Sequence, residues 1–121
     1  MRILIAEDNH ILAKILADHL AERGHRVVPA YDGRLAAVFC EQRDFDVIVI
    51  DLVLPDLTGI DVLEQLQRRD RLPRAIVITG FPELLGELSA RLAAVGVEAI
   101  IQKPFSFSEV DDALARLHEK A

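Results

Sequence analysis

The sequence predicts an α/β domain in three layers, a parallel five-stranded sheet with helices packed on both faces. Two observations predict it. Five short, β-branched apolar runs recur at regular intervals, at residues 3–6, 26–30, 47–50, 75–78 and 99–102. The longer stretches between and after them carry apolar residues at helical spacing instead. Strict alternation of strand and helix implies parallel pairing through right-handed crossovers, with helices covering both faces.

The elements follow in order. The first, third and fourth runs are almost continuously apolar, as befits strands covered on both sides. Leu12, Ile15, Leu16 and Leu20 form the stripe of the first helix, and Gly24 stops it. Asp32 is placed to cap the second helix. Val62, Leu63 and Leu66 mark the third helix; Gly96 ends the fourth, which Gly86 weakens from inside. Ser106 and Glu109 have capping-box spacing ahead of the fifth helix, whose stripe is Val110, Leu114 and Leu117. For a chain this short, two arrangements satisfy the pattern: a flavodoxin-like sheet or a truncated nucleotide-binding one.

Bulk properties narrow the function. The 121 residues fit one domain spanning 1–121, and an apolar share of 51% suffices for a core without staples. A net charge of −6 with no basic stripe argues against direct nucleic-acid binding. No apolar run approaches the roughly 20 residues that span a bilayer, and residues 1–8 turn acidic too soon for a signal peptide. The lone Cys40, set among Leu35, Val38 and Phe39, reads as a buried, inert thiol. A cytoplasmic protein is therefore expected. His10, His19, His25 and His118 lack metal-ligand spacing and read as surface or half-buried residues.

The informative residues stand where the strands end. The first run leads into Glu7 and Asp8, the third into Asp51, the fourth into Thr79 and the fifth into Lys103-Pro104. Ligands of open parallel sheets bind beyond the carboxyl ends of the strands, so all of these share one edge. With strand order 2-1-3-4-5, Glu7, Asp8 and Asp51 meet at the point where the order reverses. Three neighbouring carboxylates need a counter-charge, and hard oxygen ligands without His or Cys select magnesium or a similar ion. Such an ion would screen an incoming phosphoryl group, so that a carboxylate could attack phosphorus. Lys103 offers a point charge and Thr79 a hydroxyl for the phosphoryl oxygens. Singly, Asp8 reads as a helix cap, Asp51 as a turn residue before Pro55 and Gly59, Thr79 as a strand end and Lys103 as a surface lysine. Four coincidences at four strand ends favour a site.

The stretches Ile3-Leu4-Ile5-Ala6-Glu7-Asp8-Asn9, residues 47–55, Ile76-Val77-Ile78-Thr79-Gly80 and Lys103-Pro104-Phe105 resemble the receiver domains of response regulators, of the single-domain chemotaxis type. The resemblance runs from Met1 to about His118. It implies a flavodoxin-like (βα)5 sandwich with strand order 2-1-3-4-5 and Asp51 as the phosphorylated aspartate. It further implies Mg2+ (or Mn2+) held by Asp8, Asp51 and the backbone carbonyl of Val53, with Glu7 reaching the ion through water. Thr79 and Lys103 would engage the phosphoryl group, and Lys103-Pro104 would be a cis peptide. The donor would be a histidine kinase or a histidine phosphotransfer protein, and the domain a signalling phosphoacceptor that dephosphorylates itself slowly rather than an enzyme. Thr79-Gly80-Phe81-Pro82 resembles the matching stretch of hybrid-kinase receivers, so both a stand-alone regulator and part of a hybrid histidine kinase fit.

Three departures from the family pattern carry expectations. Glu7 replaces the more frequent Asp and keeps the charge. Val53 replaces a polar side chain found in some relatives; with Phe81 nearby it should impede water and lengthen the phosphoryl lifetime. Ile100 stands where many relatives carry Tyr or Phe, so the switch is expected to use Phe81, its loop and the Gly86-bearing helix. The face of the fourth helix, fifth strand and fifth helix is expected to meet a downstream protein target or form a dimer, with Phe105 and Phe107 as anchor or core residues. Three alternatives bear comparison. A flavodoxin-type carrier needs a phosphate loop where Glu7-Asp8-Asn9 stands. A haloacid-dehalogenase-type phosphatase needs an Asp at position 53. A receiver serving only as a scaffold would have lost an acid or the lysine.

Overall fold

The computed structural model describes residues 1–119; the last two positions of the expected 1–121 domain lie outside them. The elements alternate without exception: β1 (Arg2–Ala6), α1 (His10–Glu22), β2 (Arg26–Ala30), α2 (Gly33–Gln42), β3 (Val47–Asp51), α3 (Gly59–Arg68), β4 (Arg74–Thr79), α4 (Pro82–Val95), β5 (Ala99–Gln102) and α5 (Phe107–Glu119). All strand pairs are parallel, in the flavodoxin-like order β2-β1-β3-β4-β5.

Side chains alternate across the sheet and so build two cores. Leu4, Ile48, Ile50, Ala75 and Val77 face α2, α3 and α4, while Ile3, Ile5, Val47, Val49, Ile76 and Ile78 face α1 and α5. At their carboxyl ends two strands run further than their apolar runs predict. β3 includes Asp51 and β4 includes Thr79, because the ladder pairs Asp51 with Ile78 and Thr79 with Gln102.

The caps correct one reading and support others. Asp8 does not cap α1; Asn9 does, its Oδ1 accepting from the Leu12 N–H at 3.0 Å. Asp32 caps α2 as expected, and Glu109 accepts from the Ser106 N–H at 2.8 Å to fasten the start of α5. Gly24 and Gly96 take the left-handed conformation at the ends of α1 and α4. Gly86 does not interrupt α4, yet that helix is shallowly seated, with only Leu92 and Val95 buried.

Phe105 and Phe107 are both half-buried and pack against the α1/α5 core. Cys40 is buried, and burial pushes its thiol up to about 12. His10 stacks on Tyr31, His19 meets Asp111 at 2.9 Å, and His25 meets the terminal amine at 3.1 Å. The Lys103–Pro104 peptide is cis. Among the described residues, no helix is long and apolar enough to cross a membrane.

Candidate functional site

Parallel register brings the strand ends to one edge. Ala6 is level with Ile50, and Asp51 with Ile78, so Glu7, Asp8 and Asp51 converge where the strand order reverses between β1 and β3. Among the described residues, Glu7, Asp51 and Thr79 are the buried polar or charged residues, at 1%, 5% and 0% exposure. All three belong to the predicted set. Buried polar groups are retained only where something compensates their lost hydration, which marks this edge as a site.

Each buried carboxylate is held at both oxygens. Lys103 Nζ donates to Asp51 Oδ2 at 2.6 Å and to Glu7 Oε1 at 2.5 Å. The Val53 N–H donates to Asp51 Oδ1 at 2.9 Å, and the Asn9 N–H to Glu7 Oε2 at 3.1 Å. Burial raises the Glu7 carboxyl above its ordinary value, and although Lys103 and Asn9 oppose this, the net direction is upward. For Lys103 burial alone would depress the ammonium, but its bonds to Asp51 and Glu7 outweigh burial and raise it.

One oxygen from each of Glu7, Asp8 and Asp51 lies within 4.8 Å of the others. Three carboxylates against one ammonium leave about a divalent cation's worth of negative charge uncompensated. The donors are all oxygen, and Asp8 is exposed, leaving an open side for waters. These residues therefore fit a hard divalent ion such as Mg2+.

Thr79 is placed at this edge but points elsewhere. Its hydroxyl accepts from the Phe81 N–H at 3.0 Å and lies 3.4 Å from the Phe81 carbonyl, binding the loop before α4. Val53, Phe81 and Ile100 are 41%, 48% and 45% exposed, so none serves the core.

Two residues that the sequence left as turn chemistry or passed over prove important. Gly59 packs directly on the backbone of the nucleophile candidate: a Cβ there would lie 2.3 Å from the Asp51 carbonyl oxygen and 3.0 Å from Leu52 Cα. Its N–H donates to the Leu52 carbonyl at 2.8 Å, closing the β3–α3 loop. Asp56, at the tip of that loop, reaches across to the first turn of α2.

Fold and site together define a doubly wound, aspartate-bearing domain, with an acid pair just after β1, an aspartate at the end of β3 and a lysine after β5. The chain belongs to the response regulator receiver domain family, whose sequence profile matches residues 3–115. It is 32% identical over 112 residues to the transcriptional regulatory protein TcrA of Mycobacterium tuberculosis, covering 91% of this chain and 43% of TcrA. It is 30% identical over 119 residues to the sensor histidine kinase AruS of Pseudomonas aeruginosa, covering 97% of this chain and 12% of AruS. The chain thus spans less than half the length of these two relatives. The receiver domain of the Francisella response regulator 1452 superposes with a TM-score of 0.87 at 25% identity, over 98% of this chain and 97% of that one. Family members accept a phosphoryl group on an aspartate with magnesium and work with histidine kinases in two-component systems.

Proposed function

We propose that this chain is a phosphoacceptor in a phosphorelay and that Asp51 carries the phosphoryl group. The observation behind the proposal is the placement of Asp51. Its carboxylate is buried at the end of β3, bonded to Lys103 and within 4.8 Å of the Glu7 and Asp8 carboxylates. Asp8, Asp51 and the Val53 carbonyl would hold Mg2+ (or Mn2+), with Glu7 reaching it through water. When bound, the ion supplies positive charge that screens the anionic phosphoryl group.

The chain's own residues do the rest. An Asp51 oxygen forms the new O–P bond as the N–P bond of a donor phosphohistidine breaks, and the leaving imidazole nitrogen keeps the electron pair. Lys103 balances charge on the phosphoryl oxygens, and Thr79 reaches them only after releasing Phe81. The phosphodonor is a histidine kinase or a histidine phosphotransfer protein, and the setting is cytoplasmic. Output passes through protein contacts on the α4–β5–α5 face, where Phe81 and Ile100 are exposed, to a target protein or a second copy. Hydrolysis of the aspartyl phosphate ends the signal slowly.

Intact-mass measurement after treatment with acetyl phosphate and Mg2+ tests this reading. The native chain should gain one phosphoryl group and Asp51→Asn none. No gain in the native chain, or an equal gain in the variant, overturns it.

A further inference from the structure

We propose that Asp56 is a positioning residue, which holds the β3–α3 loop in the shape that presents Asp51 and the Val53 carbonyl to the cation by fastening the loop tip to the start of α2. This rests on the reading of Asp51 and Val53 given above.

The loop is tied at its base and at its tip. At the base, the Val53 N–H bonds Asp51 Oδ1, Val53 and Thr58 form an isolated bridge, and the Gly59 N–H closes on Leu52. At the tip, Asp56 Oδ1 accepts from the Gly33 N–H at 2.8 Å and from the Leu57 N–H at 2.9 Å. Asp56 Oδ2 accepts from the Arg34 N–H at 3.0 Å, with the Arg34 side chain 4.0 Å away.

Gly33 and Arg34 open α2, and their N–H groups are among the donors that a helix leaves without internal partners. Asp32, the helix's own cap, takes the Leu35 N–H and leaves these two to Asp56. The contact is built from both sides. A Cβ on Gly33 would stand 3.0 Å from Leu57 Cβ and from Val62 Cγ2, and 3.2 Å from Asp56 Oδ1. Glycine therefore leaves the room that the loop tip fills.

The same bonds explain why a carboxylate so near an acidic site does not join it. Its oxygens are engaged by backbone donors at the positive end of α2, so its charge is balanced there. Without Asp56 the segment between Val53 and Gly59 would lose its fixed tip, and its base contacts would open more often. The Val53 carbonyl lies between those two ties, and a carbonyl ligand binds well only when its direction is set in advance.

The test compares Asp56→Ala with Asp32→Ala, which uncaps the same helix without touching the loop. The chain has no tryptophan, so Mg2+ is titrated by NMR on the full chain. Amide hydrogen exchange at Val53 and Gly59 is measured without metal. Asp56→Ala should weaken Mg2+ binding by roughly tenfold or more and speed exchange at both amides. Asp32→Ala should lower the melting temperature while leaving both readouts near native. Asp56→Asn keeps one acceptor oxygen and should recover part of the affinity, which also covers the case in which the alanine variant fails to fold. Native-like Mg2+ affinity and exchange in Asp56→Ala, or equal losses in Asp32→Ala, overturn the proposal. Absence of saturable Mg2+ binding by the native chain instead removes the site reading on which it stands.

Discussion

Replacing Gly59 by alanine should damage stability and phosphoryl uptake together, although the residue carries no functional group. The added methyl would sit 2.3 Å from the Asp51 carbonyl oxygen, whereas ordinary contact begins near 3.4 Å, so something must yield by about 1 Å. The opposing atoms are backbone of β3 and its following residue, which cannot rotate away as a side-chain end could. Overpacking of this kind costs about 1–3 kcal/mol. Stretching the Gly59–Leu52 hydrogen bond adds about 1 kcal/mol, and alanine's better helix propensity returns at most about that much. A net loss of about 1–4 kcal/mol corresponds to a melting point lower by roughly 4–16 °C for a chain of this length. Because the strain is delivered to Asp51 itself, phosphorylation by acetyl phosphate should slow by about 10- to 100-fold at a temperature where the variant is folded. Gly86→Ala is the control. Nothing lies within 4 Å of its would-be Cβ, so it should gain about 0.5–1 kcal/mol. Thermal denaturation and the kinetics of mass gain read both effects. A Gly59→Ala variant that melts within about 2 °C of the parent and is phosphorylated at the parent rate refutes the reasoning.

Val53→Asn should shorten the phosphoryl lifetime at least about threefold, because a polar group at this exposed position can orient water where valine cannot; decay of the phosphorylated mass after donor removal measures it. The Asp56 carboxyl is held below its ordinary 3.8. Burial would raise it, but the N–H groups of Gly33, Arg34, Leu57 and Asp56 itself together outweigh that. The native state then binds fewer protons than the unfolded chain, so this stabilisation is present above about 3.8 and is lost as pH falls through the depressed value. Asp56→Asn should therefore flatten the acid limb of a stability–pH curve and leave its slope near neutrality unchanged. With its thiol raised to about 12 and buried, Cys40 should resist iodoacetamide at pH 8 in the native protein and react fully in urea.

Much of this molecule was legible because its polar residues interrupt strongly apolar strands. Asp51 and Thr79 stand out after four apolar residues each, and a parallel sheet leaves such positions only one edge to occupy. Asp8 and Asn9 are both able caps; sequence could not say which begins the helix, since the choice turns on one residue of backbone geometry. Gly59 and Asp56 were illegible for a different reason. The atoms that Gly59 meets belong to Asp51 at the end of the preceding strand and to Leu52 just past it, and the α2 partners of Asp56 stand 22 and 23 positions away. Both were masked as ordinary loop chemistry, because a turn also favours Asp and Gly. The direction of the Thr79 hydroxyl is likewise a property of one rotamer and its loop, on which strand periodicity is silent.

That direction constrains how a signal can leave the site. Under the proposed function, the Thr79 hydroxyl must turn toward a phosphoryl group on Asp51, and here it is engaged with the Phe81 backbone instead. Turning breaks that engagement, and the freed Phe81 N–H must find another partner or move with the hydroxyl. Phe81 immediately precedes α4, and within residues 82–91 Leu84, Leu85 and Leu88 are only half-buried against the core, so less packing resists displacement of that end than of the other. The far end is fixed: Leu92 and Val95 are in the core, and Arg91 grips Asp61 and Glu64 of α3. Motion passed through Phe81 is therefore expected to tilt the start of α4 about its anchored end. Ile100 lies beside this helix, sharing a cleft with Leu85, Ser89, Leu92, Ala93 and Val97, and its exposed side chain would be covered or uncovered as α4 moves. Under that function, a chain lacking an aromatic ring at position 100 is expected still to couple chemistry at Asp51 to a change on the α4–β5–α5 face, with Phe81 as the moving part.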